Sequence, residues 1–407
     1  MINKHKRIAA ALSAAALTIY SMCGCSDSEP VEENNIEEVT VISDGTQAET
    51  AYEMPPLSDY YADYNKYSDW ETRFGYFQLT EEDRKIYDAT VSTMKNLSPK
   101  LPLYTDERNY RRILNLISIE QLGIFYLKST SASLDDRGKY FNVDFSYRYS
   151  STQVEEMTNL TELEAQNVLS SIPTGADDYQ KLLYIHDWLV KNVRKDTESE
   201  YAASVYGTLV KRTALCEGYA KTFSYLCNLL GIENIIVTGF TDVPHMWNMV
   251  RLDGSWYHVD VTWDDVNIGL PDFVSYQFFL VPDKTVKENR TIDSTIFIPP
   301  EAKGGEYEYF IKEGLTADAA GDFPEVLAKS IVKAVRENSR FAMIKFSKND
   351  EYIFFLNEIN NSDKSIKSAL ETANAQLAED GISVEIETRI NADPYRTAVF
   401  ILKRTDS

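Results

Sequence analysis

Residues 213–265 hold a cysteine, a histidine and an aspartate in the order and local setting that thiol acyl transfer requires. Cys216 lies in Thr213-Ala-Leu-Cys-Glu-Gly-Tyr-Ala, where apolar residues begin to recur at helical spacing as Ala220, Phe223, Cys227 and Leu230, with Gly231 placed to end the helix. The thiol therefore falls at an expected helix N-terminus. There the N–H groups and the positive end of the macrodipole favour an anion, so thiolate should be available near neutral pH. A depressed pKa and exposure should make Cys216 more reactive than Cys227.

The partner residues follow on an expected β-hairpin. His245-Met-Trp-Asn-Met-Val-Arg-Leu and Ser255-Trp-Tyr-His-Val-Asp-Val-Thr-Trp flank Asp253-Gly254, a two-residue turn signal. If those two residues form the loop, Trp247 faces Asp260 and His245 faces Thr262. His245 and Asp260 are then diagonal neighbours on one face, roughly 7–8 Å apart at the backbone. A three-residue loop would reverse the parity. With the parity kept, Asp260 can orient the imidazole while the other ring nitrogen takes the thiol proton.

Neighbouring residues have plainer readings. His258 shares the parity of His245 and Asp260, so these three form an alternative zinc site; hydrogen-bonded support of the thiol site is the reading adopted. His186 falls on the apolar stripe Leu182, His186, Leu189, Val193 and reads as a buried, hydrogen-bonded core histidine. Trp247 and Trp263 read as packing residues, with walling of an acyl pocket as the alternative, and Asp264-Asp265 as a turn or solvated edge. Cys227 is eleven positions beyond Cys216, about 16 Å along one helix, too far for a disulfide.

Around these residues the chain resembles the transglutaminase-like superfamily of papain-type thiol enzymes, in its bacterial extracytoplasmic lipoprotein branch. The matching stretches are Cys216-Glu-Gly-Tyr-Ala, His245-Met-Trp-Asn and His258-Val-Asp-Val-Thr-Trp-Asp-Asp265, joined by Ile185-His-Asp-Trp-Leu-Val-Lys-Asn192, Tyr206-Gly-Thr-Leu-Val210 and Tyr276-Gln-Phe-Phe-Leu280, over about residues 160–285. The resemblance implies Cys216 as nucleophile, His245 as base and then acid, Asp260 as orienting carboxylate, and no cofactor. It implies peptide or isopeptide amides as substrates, cleaved or transferred to an amine. One departure is Lys211-Arg212-Thr213, where relatives carry a small glycine-containing turn; two cations there would favour the thiolate. The backbone N–H of Cys216 is the one oxyanion donor that can be named.

The N-terminus constrains the compartment. Lys4, Lys6 and Arg7 precede an apolar run over residues 8–20 and then Ser21-Met-Cys-Gly-Cys25, a signal peptide too short to span a membrane. Gly24-Cys25 resembles a lipoprotein cleavage site, making Cys25 the expected lipidated residue, with ordinary secretion as the alternative. Residues 25–55 read as an acidic tether. Removing residues 1–24 takes away three basic groups and no acidic ones, so the formal charge of −22 becomes −25. Such a surface suits neither nucleic acid nor anionic lipid; the membrane is reached through the anchor alone.

The expected fold is α+β: a papain-like transglutaminase core at 161–300, with the nucleophile helix packed on an antiparallel sheet. An N-terminal helical and mixed subdomain at 56–160 precedes it, including a tyrosine-rich run at 60–67, a helix at 80–94 and a strand at 140–149. The C-terminal α+β domain at 301–407 reads α-β-β-α-β-β, with helices at 324–337 and 363–378 and strands at 340–346, 351–357, 382–390 and 397–403. It contains no histidine or cysteine. The function expected is an extracytoplasmic, lipid-anchored cysteine enzyme acting on protein or peptide amides, cell-wall peptide among them, with hydrolysis favoured over cross-linking. A non-catalytic peptide-binding envelope scaffold and a zinc-dependent hydrolase are the alternatives.

Overall fold

The computed structural model describes residues 68–405, apart from 135–137, 267–269, 271 and 393–394. The signal segment, Cys25, the acidic tether and the run at 60–67 lie outside the described residues. No described helix is long and apolar enough to cross a membrane. By its contacts the chain divides into two compact units, Met1–Met249 with Asn289–Pro300, and Val250–Glu288 with Glu301–Ser407.

The first unit opens with α1 (Glu81–Lys95), whose N-cap Thr80 accepts from the Asp83 N–H and whose first turn carries three acids, where the helix favours negative charge. Strand β1 (Lys100–Pro102) leads to α2 (Glu107–Glu120), capped by Asp106. Tyr110, Ile113, Leu114 and Ile117 of α2 are buried at helical spacing. Strands β2 (Leu127–Leu134) and β3 (Tyr140–Tyr147) join β1 in a sheet of order β1-β3-β2. Helix α3 spans Ser151–Leu169 and so crosses residue 161, where the core was expected to begin. Ser150 and Gln153 form a capping box, and Met157, Thr161, Ala165 and Val168 continue one buried stripe across residue 160.

The segment that carries the chemistry comes next. A second capping box, Asp177 with Gln180, starts α4 (Asp178–Asn192). Then follow β4 (Arg194–Lys195), α5 (Val205–Leu209), β5 (Thr213–Ala214) and α6 (Cys216–Leu229), with β4 parallel to β5. Gly231, at φ +71°, takes the left-handed conformation that ends α6. Strands β6 (Asn234–Phe240), β7 (Pro244–Leu252) and β8 (Ser255–Val259) are followed by the single turn α7 (Val261–Asp264), by β9 (Phe279–Val281), by the single turn α8 (Asp283–Val286) and by β10 (Thr291–Ile292). The sheet order is β10-β6-β7-β8-β9. Between β7 and β8 stand Asp253 and Gly254, at φ +46° and +83°, the two positive values that a type I′ turn needs.

The C-terminal part holds α9 (Tyr309–Lys312), β11 (Thr316–Ala317), α10 (Phe323–Arg336), β12 (Phe341–Phe346), α11 (Asn349–Asn361), α12 (Lys364–Leu377), β13 (Val384–Ala392) and β14 (Thr397–Arg404). Its sheet runs β11-β12-β14-β13, over a core that includes Phe323, Leu327, Ile344, Phe355 and Phe400. One element corrects the sequence reading: the strand expected at 351–357 is helix α11. Its buried residues are Tyr352, Phe355 and Ile359, spaced by three and four, and that helical period outweighs the short apolar run at its centre.

Candidate active site

Cys216 is the first residue of α6, and its N-cap Leu215 offers no side-chain cap. Every residue from Cys216 to Cys227 is buried, so α6 is covered on all sides rather than on one stripe. Gly218 explains part of this. A Cβ there would sit 2.1 Å from the Ala202 carbonyl oxygen and 2.9 Å from Thr208 Oγ1, so the glycine that a helix interior disfavours is what lets the loop before α5 press on the first turn. The Leu215 N–H completes that contact, donating to the Ala202 carbonyl at 2.9 Å. Two expectations meet different outcomes. Neither Cys216 nor Cys227 is in a disulfide, and burial pushes the Cys227 thiol well up. But Cys216 is itself 0 % exposed, so exposure does not separate the two thiols.

His245 is the second residue of β7 and is fully buried. Trp247, two residues on and hence on the same face, stacks with it at 5.7 Å between ring centroids, and the Arg290 guanidinium covers the indole at 5.5 Å. The expected packing role of Trp247 thus becomes the support of an imidazole. Helix α6 packs against β6, the sheet neighbour of β7, and Asn248 Nδ2 donates to the Ala220 carbonyl of α6 at 2.9 Å. The strand carrying His245 is therefore tied to the helix carrying Cys216, one turn beyond the thiol. Asn248 lay in a matched stretch without an assigned role; a buried amide beside a helix carbonyl was its signal.

Asp260 ends the hairpin in the second unit. Strand β8 stops at Val259, earlier than expected, because Asp260 caps α7: its Oδ1 accepts from the Trp263 N–H at 3.1 Å. Thr262 is consequently helical, and pairing of His245 with Thr262 does not occur. The two-residue loop does, since β7 ends at Leu252 and β8 starts at Ser255, but β8 ends at Val259, one residue short of Asp260. Asp260 is 1 % exposed and its own N–H donates to the Phe278 carbonyl at 2.9 Å. Asp264 is not a solvated edge. It is buried, and its carboxylate accepts from the Phe278 N–H at 3.1 and 3.2 Å, fastening the start of β9 to α7.

His258 is committed elsewhere: its Nε2 meets Asp283 Oδ1 at 2.8 Å. Burial alone would raise the Asp283 carboxyl, but hydrogen bonds from His258 and from Lys287 outweigh it and hold the group at about 2. Among the described residues no group of three or more His, Cys, Asp or Glu could hold a metal ion, so the zinc set of His245, His258 and Asp260 is not assembled. His186 is the buried core histidine expected, with Nδ1 3.2 Å from Asp187 Oδ1. Trp263 packs edge-on against Phe278 at 5.5 Å.

The departure before the nucleophile has a structural counterpart. Arg212 adopts φ +58°, the left-handed backbone that glycine takes without strain. Its guanidinium lies 4.5 Å over the Trp188 ring and donates to Glu164 at 2.8 Å, while Lys211 lies over Tyr206 at 5.4 Å. These cations anchor the loop, with the Arg212 charge matched by a carboxylate. Sequence alone also left unassigned the buried pair of Lys221 and Glu217, 2.7 Å apart, although its i,i+4 spacing was legible.

Residues 167–261, a span that contains Cys216, His245 and Asp260, match the family model of the transglutaminase-like superfamily. Kyphoscoliosis peptidase of Mus musculus is 26% identical over 147 residues, covering 32% of this chain and 21% of that protein. The Homo sapiens protein of the same name is 27% identical over 145 residues, covering 31% and 21%. The chain thus spans about a fifth of the length of these curated relatives. A solved structure of a TGase is 14% identical, covers 40% of this chain and 49% of its own, and has a TM-score of 0.25.

Proposed function

We propose that the protein is an extracytoplasmic cysteine enzyme that hydrolyses peptide or isopeptide amides. The observation that carries this reading is the placement of Cys216 at the first position of a helix tied by Asn248 to the strand of His245. The Cys216 thiolate attacks the amide carbonyl carbon, and its backbone N–H faces the developing oxyanion. The His245 imidazolium gives its proton to the departing amine nitrogen as the C–N bond breaks, leaving a thioester. Water then attacks the thioester carbonyl and passes a proton to His245, and the C–S bond breaks to give the acid and restore the Cys216 thiolate beside the His245 imidazolium. Asp260 orients the imidazole.

Hydrolysis of a peptide and isopeptide library tests this. Cys216→Ala and His245→Ala should each remove nearly all turnover, on the order of 10⁴-fold or more, and the double variant little beyond either, because nucleophile and base act as a unit. Asp260→Asn should lose less and keep the fold, His258→Ala less still, and a zinc chelator should change nothing. Full activity in Cys216→Ala would end the thiol mechanism. The burial of Cys216 favours one second reading, a peptide-binding envelope scaffold without turnover; failure of iodoacetamide to modify Cys216 in the folded protein, with no library member cleaved, would select it. The compartment is part of the proposal: radiolabelled fatty acid should enter the protein at Cys25, and Cys25→Ala should abolish incorporation.

A further inference from the structure

A cavity of about 130 Å³ lies in the first unit, and α6 supplies part of its lining through Glu217 and Lys221. Glu217 directly follows Cys216. The other walls include Phe125, Tyr149 and Tyr201, with Lys128 and Arg148 among the lining residues; both cations are exposed. We propose that this cavity is a recognition subsite for a peptide that presents an apolar side chain next to a carboxylate. Its role in turnover rests on the thiol-enzyme reading; its ability to bind does not.

Three observations point this way. The first is size. An engineered cavity of about 150 Å³ admits benzene, so this space matches one aromatic or branched aliphatic side chain. The second is preorganisation. Tyr149 stacks on Tyr201 at 6.4 Å, Phe125 on Tyr206 at 6.4 Å, and Tyr201 meets Tyr206 edge-on at 5.5 Å. The backbone of this aromatic frame is pressed inward, since a Cβ on Gly207 would lie 1.9 Å from the Tyr201 carbonyl oxygen. Such a wall loses little entropy when a ligand arrives.

The third is charge. The whole chain carries a formal −22, yet this cavity gathers three cations against two acids, Glu200 and Glu217. Lys221 and Glu217 neutralise one another at 2.7 Å, and Glu200 hydrogen-bonds Tyr201. Glu200 keeps its charge, so the exposed Lys128 and Arg148 outnumber it two to one and give the mouth a net single positive charge. On so acidic a molecule a cationic mouth over an aromatic wall selects an anionic apolar peptide, and rejects a basic one by the repulsion it adds.

The test uses the full chain with Cys216→Ala, so that binding is read without turnover. Three dansylated, capped peptides are titrated: one with phenylalanine beside glutamate, one with lysine in place of the glutamate, and one with alanine in place of the phenylalanine. The first should bind about tenfold more tightly than either of the others. Arg148→Glu, an exposed change, should reverse the preference between glutamate and lysine, and Tyr201→Ala should remove the advantage of phenylalanine. Salt near 1 M should shrink the glutamate preference and spare the phenylalanine one. Equal affinity for the three peptides, or an unchanged preference in Arg148→Glu, overturns the subsite. If the preferences hold but the wild-type protein cleaves nothing, the enzymatic reading alone falls; if cleavage occurs without these preferences, the subsite alone falls.

Discussion

Helices α6 and α11 are nearly equal in length, 14 and 13 residues, and they occupy opposite kinds of surroundings. Helix α11 buries Tyr352, Phe355 and Ile359 and leaves Ile353 and Phe354 in solvent. One stripe of α11 serves an apolar core. Helix α6 buries twelve consecutive residues, among them Glu217, Lys221 and Ser224. It is joined to its neighbours by polar contacts: Lys221 with Glu217, Ser224 with Asn234, the Ala220 carbonyl with Asn248. Buried polar groups cost free energy unless they are paired. A core needed only for stability can avoid them, as that around α11 largely does, so their concentration around Cys216 marks the part of the chain shaped by something besides stability.

Substitutions can break that contrast. Lys221→Ala would remove the cation paired with the buried Glu217 carboxylate and should cost about 3 kcal/mol, read by urea unfolding; a loss below about 1 kcal/mol would mean that the pair is solvated and α6 less enclosed than described. On α11, Phe355→Ala should cost about 3–5 kcal/mol, while Ile353→Ser should stay within about 0.5 kcal/mol. A strand would place 353 and 355 on one face, so similar losses at both would restore the extended reading of this segment.

Smaller effects sharpen it. Gly218→Ala adds a methyl that meets the Ala202 carbonyl at 2.1 Å and should destabilise by about 1–3 kcal/mol, with turnover falling further than stability because the displaced turn begins at Cys216. The smallest concerns the His258–Asp283 pair. The Asp283 carboxyl is held at about 2, below its ordinary 3.8, so its contribution is present above the unfolded value and is lost as pH falls through the folded one. With its partial exposure discounted, Asp283→Asn should be less stable by about 1–2 kcal/mol at pH 6, with the gap narrowing below about pH 4 and closing only below about pH 2. A stability gap independent of pH would show that charge is not what the pair contributes.

What was legible in the sequence follows from the same contrast. Helix α6 was readable because its ends are chemically marked, by the onset of apolar periodicity at Cys216 and by the left-handed Gly231. The hairpin was readable because Asp253-Gly254 admits one tight turn and so one parity. Helix α11 was not, since a run of apolar residues beside an exposed Phe354 obscures the helical period. The end of β8 was missed for a different reason: Asp260 belongs by its neighbours to a strand, and only its side chain, turned back to the Trp263 N–H, makes it a cap. The partner of His258, Asp283, lies 25 positions away, beyond any local pattern.

The full burial of Cys216 has a chemical consequence of its own. Oxidants attack thiolates they can reach, and a sulfenic acid left unrepaired proceeds to forms that cannot be reversed. A thiol without solvent-exposed surface is sheltered from that sequence whenever substrate is absent. In surroundings without a reducing buffer, the enclosure that restricts access to Cys216 is also what would keep it reduced.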